Sequence, residues 1–298
     1  MSRPPLLFNL SAHPLGESLA EAIAATPGQL SRRRFPDGES YLRVPEAVAG
    51  RDCVILADLA DPDPEFLPLA FLAESLREFG ARQVGLVAPY LSYMRQDIRF
   101  HAGEALTSVL FARQLSRLVD WLVTVDPHLH RWHSLDQIYT IPSRVVHGAP
   151  VLGAWLAGQQ ELLLVGPDAE SEQWVSAIAA QSGHPFVVGS KQRLGDRKVV
   201  VNLPDLAPWR TRTAIIIDDV ISSGHTVLQC ISALQQQSVA RIGCACVHGL
   251  FADGIDQLLR ASGLQVLAST NTIPHPTNRL DISPLLTKPV LELLALRA

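Results

Sequence analysis

The sequence predicts an α/β protein of two tandem, duplicated domains, each a parallel sheet flanked by helices. Short apolar runs bounded by turn residues alternate with helical patterns, as is typical of parallel sheets covered on both faces. The second half repeats the first, because Cys53-Val-Ile-Leu-Ala-Asp58 has a counterpart in Thr213-Ala-Ile-Ile-Ile-Asp218, roughly 160 residues further along the chain. We therefore expect two copies of one unit, joined near Pro142–Pro150.

The first half is predicted to alternate strands and helices around one hairpin. The hairpin is indicated by Pro36-Asp-Gly38, a turn signal between two extended arms. The predicted elements are, in order, strand Leu6–Leu10, helix Gly16–Ala25, hairpin Arg32–Val44, strand Asp52–Ala57, helix Leu67–Phe79, strand Val84–Ala88, helix Glu104–Leu118 and strand Trp121–Val125.

The second half begins with strand Leu162–Val165 and contains the polar segment Lys191–Asp205. That segment is expected to be either a mobile basic loop that closes over a phosphate site or a solvated linker. A strand ending at Asp218 precedes helix Val227–Leu234. The last segment, Ile282–Ala298, is predicted to be a helix interrupted by prolines that packs on a domain.

Composition indicates a soluble globular protein, with 47% apolar and 18% charged residues among 298. The net charge of −4 argues against a nucleic-acid surface, and no apolar run approaches the ~20 residues of a membrane span. The N-terminus lacks the apolar core of a signal peptide. Four cysteines (Cys53, Cys230, Cys244 and Cys246) form no C-x-x-C pair, so buried free thiols and a cytoplasmic location are expected.

One stretch combines a strand, two acids and a turn that suits phosphate. Asp218 and Asp219 follow four apolar residues, and Ser222-Ser-Gly-His-Thr226 then leads into a helix. Open α/β sheets bind ligands at this edge, and a helix N-terminus attracts anions. The stretch predicts a sugar-phosphate site, with a solvated acid pair and an ordinary helix cap as the alternative. In the first copy, Asp58 is followed by no such turn.

Other candidate residues also follow predicted strands. Arg95, Gln96 and Arg99 could hold a polyphosphate or form a surface ion-pair cluster. His128 and Asp168 could share a Mg²⁺, although a single histidine near a strand is more often structural.

Together these pieces resemble the ribose-phosphate pyrophosphokinase family over nearly the whole chain. The segment Arg99-Phe-His-Ala-Gly-Glu104 and the short length look closer to the archaeal-type members than to the longer bacterial enzymes. The matching motifs are Arg34-Phe-Pro-Asp-Gly-Glu39, Pro89-Tyr-Leu-Ser-Tyr-Met-Arg-Gln-Asp97, Thr124-Val-Asp-Pro-His128, Gly166-Pro-Asp168, Lys191-x-Arg193, Asp218-Asp-Val-Ile-Ser-Ser-Gly-His-Thr226 and Thr270-Asn-Thr-Ile-Pro274.

The resemblance implies two phosphoribosyltransferase-like domains. Residues 1–143, with helix 283–298 packed on them, would carry the ATP-binding hairpin, and residues 144–282 the ribose 5-phosphate loop. The implied reaction passes the diphosphoryl group of ATP to O1 of ribose 5-phosphate and releases AMP, with Mg²⁺ as cofactor. The family forms homodimers or larger homo-oligomers with shared ATP sites, and neither nucleic acid nor a membrane is an expected partner.

The resemblance also implies a role for each matching residue. ATP would be held by Phe35, Asp37 and Glu39, on a hairpin that reaches the adenine site of a neighbouring subunit, and by Arg95, Gln96 and Arg99, with its Mg²⁺ bound by His128 and Asp168. The charge at the β-phosphorus would be stabilised by Lys191 and Arg193. The ribose hydroxyls and a second Mg²⁺ would be bound by Asp218 and Asp219, and the 5-phosphate by Ser222, Ser223, Gly224, His225 and Thr226.

Three departures from the family pattern leave alternatives open. Ser222 replaces an acid, and Ala169-Glu170-Ser171 replaces a glycine pair and adds negative charge. His225 replaces a glycine, and the histidine backbone would be strained if this position requires a positive φ. They motivate a non-catalytic or regulatory paralogue that binds nucleotide or partner subunits. A phosphoribosyltransferase is less favoured, because the Arg95, His128 and Lys191 elements would then have no role.

Overall fold

The chain divides into two compact units in a computed structural model that describes residues 3–129, 131–194 and 198–296, with the backbone alone over 191–194 and 198–200. The first unit comprises Met1–Val146 with Ser283–Ala298, and the second His147–Ile282. None of the helices in the described ranges is long and apolar enough to cross a bilayer.

The first unit is a six-stranded parallel sheet in the order β2-β1-β5-β6-β7-β8, with a separate antiparallel hairpin, β3–β4. The central strands β5, β6 and β7 are buried on both faces, which explains their continuous apolar sequences. Its elements are β1 (Leu6–Asn9), α1 (Leu15–Ala22), β2 (Thr26–Pro27), β3 (Ser31–Arg34), β4 (Ser40–Arg43), β5 (Asp52–Leu56), α2 (Pro62–Glu78), β6 (Gln83–Ala88), α3 (Thr107–Leu118), β7 (Trp121–Val125) and β8 (Ser143–Val146).

The second unit repeats this plan, with sheet order β10-β9-β13-β14-β15-β16 and a separate antiparallel hairpin, β11–β12. Its elements are α4 (Ala149–Ala157), β9 (Leu162–Gly166), α5 (Glu172–Ser182), β10 (Phe186–Val188), β11 (Ser190–Leu194), β12 (Lys198–Asn202), β13 (Thr213–Ile221), α6 (His225–Gln236), β14 (Ile242–Gly249), α7 (Ile255–Ala261), β15 (Leu264–Thr270) and β16 (Asn278–Leu280). The predicted duplication is therefore confirmed.

The duplication extends to the hairpins. β3–β4 lies in the chain between the edge strand β2 and the central strand β5, and β11–β12 lies between their counterparts β10 and β13. Lys191–Asp205 was predicted to be a loop or linker. That prediction was wrong for the backbone over 191–194 and 198–202, which forms antiparallel pairs such as Lys191 with Val201. The tip, residues 195–197, lies outside the described residues.

Helix α8 (Ser283–Ala295) follows β16 but packs on α1, β7 and β8 of the first unit. In the second unit, α4 follows β8 and packs on α5. Since α1 and α5 follow the equivalent strands β1 and β9, each unit is completed by the helix that follows the other unit's last strand. Pro289 was expected to interrupt the final helix, but α8 continues through it, and residues 297–298 lie outside the described part.

Prolines also displaced a predicted boundary in the first unit. Helix α2 begins at Pro62 rather than Leu67, because the first turn of a helix needs no backbone N–H donors and tolerates proline there.

The predicted helix at Glu104 begins only at Thr107, since the Glu104 carboxylate accepts the backbone N–H groups of Phe100 (2.7 Å) and His101 (3.1 Å) in the preceding turn. The four cysteines are free and buried, as expected.

Candidate active site

Asp218 and Asp219 lie in the last part of β13, where that strand continues beyond its neighbour β9. Pairing with β9 stops at Ile216, whereas pairing with β14 continues to Ile221. The acids are therefore at the open carboxyl edge of the sheet, and both are half-buried. Their carboxylates accept backbone N–H groups one residue ahead, Asp218 Oδ1 from Asp219 at 3.0 Å and Asp219 Oδ1 from Val220 at 2.8 Å.

The turn after β13 has one left-handed residue, Gly224 (φ +66°), at the N-terminus of α6. His225 is the first residue of that helix, so the strain considered at His225 does not arise. The first N–H groups of a helix have no intrahelical hydrogen-bond partner. At the start of α6 these donors lie in the same short segment as the hydroxyl-bearing residues Ser222, Ser223 and Thr226. This arrangement suits a phosphate.

Asp168 lies near the acid pair in the same unit. Burial raises the pKa of Asp218 well above its ordinary value, and repulsion from Asp219 and Asp168 raises it further. Asp218 therefore has two acidic neighbours, and such a cluster favours a bound cation. Within the described residues, however, no three His, Cys, Asp or Glu side chains are already gathered as a metal site, so a Mg²⁺ here would take most of its oxygen ligands from substrate and water.

The Ala169-Glu170-Ser171 departure forms a tight helical turn capped by Asp168. Asp168 Oδ1 accepts from the backbone N–H of Glu170 (3.1 Å) and Ser171 (3.3 Å), and the Ser171 hydroxyl donates to the Asp168 carbonyl at 2.5 Å. The Glu170 side chain is exposed. Its charge is consequently screened by solvent and is a weaker perturbation than the sequence suggested.

Lys191 and Arg193 lie on β11, at backbone positions paired with Val201 and Val199. Their side chains are outside the described part of the structure. Their assignment to charge stabilisation remains a prediction.

In the first unit, Arg95 and Gln96 follow β6 at the carboxyl edge of the sheet. Arg95 is exposed, and the Gln96 side-chain oxygen accepts from the Thr107 hydroxyl at 3.1 Å. Arg99 braces the following turn, since its Nε donates to the Glu104 carbonyl at 2.9 Å. Arg131 holds the same segment through Asp97, with Nη1 2.9 Å from the carboxylate.

His128 follows the adjacent strand β7 and is half-buried. It has φ +51° and Asp126 has φ +34°, both in the region that non-glycine residues rarely occupy. The His128 backbone N–H donates to the Asp126 carbonyl at 2.8 Å. Backbone strain of this kind often accompanies functional sites.

Phe35, Asp37 and Glu39 lie at the tip of the β3–β4 hairpin, as predicted. The Phe35 N–H donates to the Glu39 carbonyl at 2.8 Å, the Glu39 N–H donates to Asp37 Oδ1 at 3.1 Å, and all three side chains are exposed. Sequence reasoning missed that the Arg33 guanidinium stacks on two rings, 4.4 Å from the Phe35 centroid and 4.3 Å from that of Tyr41. The alternation of these residues along two paired strands was the available signal.

Comparisons with known proteins agree with this architecture. Residues 6–118 match the N-terminal domain of ribose phosphate pyrophosphokinase, and residues 135–264 match the phosphoribosyl transferase domain. The chain is 32% identical to a ribose-phosphate pyrophosphokinase of the archaeon Methanopyrus kandleri, covering 91% of this chain and 92% of that protein. It is 26% identical to a protein of the same name from Bacillus subtilis, covering 96% and 92%.

The fold has a solved counterpart. Phosphoribosylpyrophosphate synthetase from Mycobacterium smegmatis superposes with a TM-score of 0.84 at 23% identity, covering 99% of this chain and 100% of that one. Together with the archaeal relative, both domain matches lead to one conclusion. The chain belongs to the ribose-phosphate pyrophosphokinase family of enzymes.

Proposed function

We propose that this enzyme transfers the diphosphoryl group of ATP to O1 of ribose 5-phosphate in a Mg²⁺-dependent reaction. O1 attacks the β-phosphorus, the bond to the oxygen bridging the α- and β-phosphates breaks, AMP leaves with that oxygen, and the O1 proton is released. Such a reaction depends mainly on positioning and charge neutralisation. The observation that carries the proposal is the Asp218–Asp219 pair beside the Gly224 turn and the N-terminus of α6.

The residue assignments follow the second unit's sugar-phosphate edge and the first unit's basic edge. Residues 222–226 would bind the 5-phosphate, Asp218 and Asp219 the ribose hydroxyls, and Arg95, Gln96 and Arg99 the nucleotide. His128 and Asp168 would hold Mg²⁺, which supplies charge neutralisation on the phosphates when bound. Lys191 and Arg193 would stabilise the charge that develops at the β-phosphorus.

The experiment mixes the purified protein with ATP, ribose 5-phosphate and Mg²⁺ and measures AMP. We expect AMP in proportion to ribose 5-phosphate, and Lys191→Ala should lower turnover by roughly 100-fold or more at unchanged Tm. Lys288→Ala is the matched control, because Lys288 is on α8 and its side chain is 88% exposed. No AMP with any divalent metal or sugar phosphate would exclude this activity and favour the non-catalytic alternative.

We further propose that the enzyme is a homodimer or larger homo-oligomer in which Phe35, Asp37 and Glu39 serve the ATP site of a neighbouring subunit. The exposure of all three side chains at the hairpin tip supports this assignment. Light scattering tests it, and an active enzyme that remains monomeric at assay concentration would contradict it.

A further inference from the structure

The β3–β4 hairpin is attached to the body of the first unit by an arginine–glutamate clamp. Arg32, on β3, forms a two-pronged ion pair with Glu65 in the first turn of α2, with Nη1–Oε2 and Nη2–Oε1 distances of 2.7 Å. The side chains are only 23% and 18% exposed. A paired guanidinium fork fixes direction as well as distance, which a lysine cannot do.

Two further hydrogen bonds connect the clamp to the sheet. The Ser11 hydroxyl donates to Glu65 Oε2 at 2.9 Å, and the Asp58 backbone N–H donates to the Ser11 oxygen at 3.2 Å. Arg32 Nη1 also donates to the Leu10 carbonyl at 3.3 Å. The clamp thus joins the hairpin to the segments that follow β1 and β5, the rigid centre of the unit.

Glu65 is held in its charged form by this arrangement. Burial raises its pKa, but the hydrogen bonds from Arg32 and Ser11 and the charge of Arg32 outweigh burial, so the pKa lies below its ordinary value. The ion pair is therefore intact at neutral pH.

The opposite face of the hairpin carries the aromatic group assigned to the nucleotide. Side chains alternate along a strand, so Arg32 faces the body while Arg33 and Phe35 are on the outside, where Arg33 stacks on Phe35 and Tyr41. The hairpin is exposed from Arg33 to Glu39, and behind that tip β4 packs on α2, with Leu42 partly buried against the core. Arg32, which pairs with Leu42 across the hairpin, anchors the same face to Glu65, so the direction of Phe35 depends on how firmly Arg32 is held.

We propose that Arg32 and Glu65 are a positioning pair for the nucleotide, which fix the β3–β4 hairpin so that Phe35, Asp37 and Glu39 are preorganised to bind ATP. This inference rests on the proposed function. Neither residue is among those assigned to bind the nucleotide. Without the clamp, the hairpin occupies the orientation that binds ATP for only part of the time. The apparent affinity for ATP falls in proportion to the population of that orientation.

The test compares Glu65→Gln with the control Glu292→Gln. The control removes the charge of the glutamate in an exposed ion pair of the same unit, Arg144–Glu292, whose atoms are 3.3 Å apart and whose side chains are 43% and 44% exposed. Glu65→Gln should raise KM for ATP by roughly five- to twentyfold, which corresponds to a hairpin in the binding orientation for about a fifth to a twentieth of the time, while KM for ribose 5-phosphate and kcat change less than twofold. Arg32→Lys should raise KM for ATP less. Glu292→Gln should leave all three constants unchanged.

A second measurement does not need activity. Amide hydrogen exchange over residues 31–43 should be faster in Glu65→Gln than in the wild type and unchanged in Glu292→Gln. If Glu65→Gln fails to fold, Glu65→Asp, which keeps the charge but shortens the reach, replaces it. An unchanged KM for ATP, an equal rise in both KM values, or unchanged exchange overturns the inference. Absence of AMP from the wild-type enzyme would instead refute the proposed function, and the exchange result would still decide whether the clamp holds the hairpin.

Discussion

Gly224 lies where β13 gives way to α6, and two independent constraints act on this residue. Its φ of +66° is in the left-handed region, and a Cβ at this position would lie 2.4 Å from Ile255 Cγ1 at the start of α7. Any other residue would therefore strain the backbone and force the Ile255 side chain or the start of α7 to shift. His225 is the first residue of α6 and has no positive φ, so the backbone accepts a side chain at that position.

Gly224→Ala should destabilise the second unit and weaken binding of ribose 5-phosphate. The left-handed conformation costs about 1–2 kcal/mol, and the Ile255 contact adds an overpacking cost of about 1–3 kcal/mol. Gly183→Ala is the matched control, because Gly183 has φ +76° but nothing within 4 Å of its added Cβ. Denaturant unfolding and KM for ribose 5-phosphate are the measurements. Equal destabilisation by the two substitutions would show that the Ile255 contact is unimportant.

At the residue scale, the sequence located groups that follow strands and missed groups that meet through tertiary contact. Asp218 and Asp219 were predictable because an apolar run ends at them, and parallel strands place such residues at one edge. The Arg32–Glu65 pair was not, since the two residues are 33 positions apart in the chain, with β4 and β5 between them. The Arg33 stacking on Tyr41 also needs the partner strand β4, which carries that ring.

At the element scale, apolar runs gave reliable strands and polar or proline-rich segments gave unreliable boundaries. The central strands agree with the predicted runs because burial on both faces leaves little choice of residue. The hairpin β11–β12 was missed, although Val199-Val-Val201 is a strand signal, because the lysines and arginines around it dominated the composition. In the structure β12 packs on α6, and Val201 is buried in the core of the second unit.

Gly85→Ala should destabilise the first unit strongly through the contact between β6 and β7. Gly85 pairs with Trp121, and a Cβ on Gly85 would lie 2.0 Å from the indole ring, which is 2% exposed and donates its Nε1–H to Gln83 at 3.0 Å. The ring cannot move without losing that bond, so we expect a loss of about 3 kcal/mol or more. Calorimetry of the wild type and variant gives the change.

Two controls make this expectation specific to the contact. Gly158→Ala, at the end of α4 with nothing within 4 Å of the added Cβ, should change stability by less than about 0.5 kcal/mol. Trp121→Phe, which makes room beside Gly85, should be less damaging in the Gly85→Ala background than in the wild type. Additive effects of Gly85→Ala and Trp121→Phe would refute the close-packing explanation.

At the scale of the whole molecule, the duplication could be predicted from the residues themselves, whereas the packing of the last helix on the first domain was expected only from the family resemblance. Repeated strands leave a direct signature in the sequence, because each copy must bury the same sheet. The apolar face of α8 carries no comparable information about which sheet it covers. In the structure that face is buried in the first unit, and the buried Gln83 amide donates to the Leu294 carbonyl at 3.0 Å.

A fragment of residues 1–146 should therefore be unable to fold stably until it is given residues 283–296 as a separate peptide. Leu286, Val290 and Leu293 of α8 are fully buried, and each contributes about 1.5–3 kcal/mol, so their sum is comparable with the whole stability of a domain. We expect the fragment alone to bind hydrophobic dyes and melt without a cooperative transition, and the peptide to restore the transition.

A peptide with Val290→Asp and Leu293→Asp is the control and should have no effect, because both side chains face the core. The fragment of residues 147–282 contains its own closing helix, α4, held on α5 by hydrogen bonds from Gln181 to the Pro150 carbonyl and between His184 and the Leu156 carbonyl, each 3.0 Å. It should melt cooperatively without any addition. Circular dichroism of both fragments decides the matter: a cooperative melt of residues 1–146 that the peptide does not shift would mean that α8 is dispensable to the unit on which it packs.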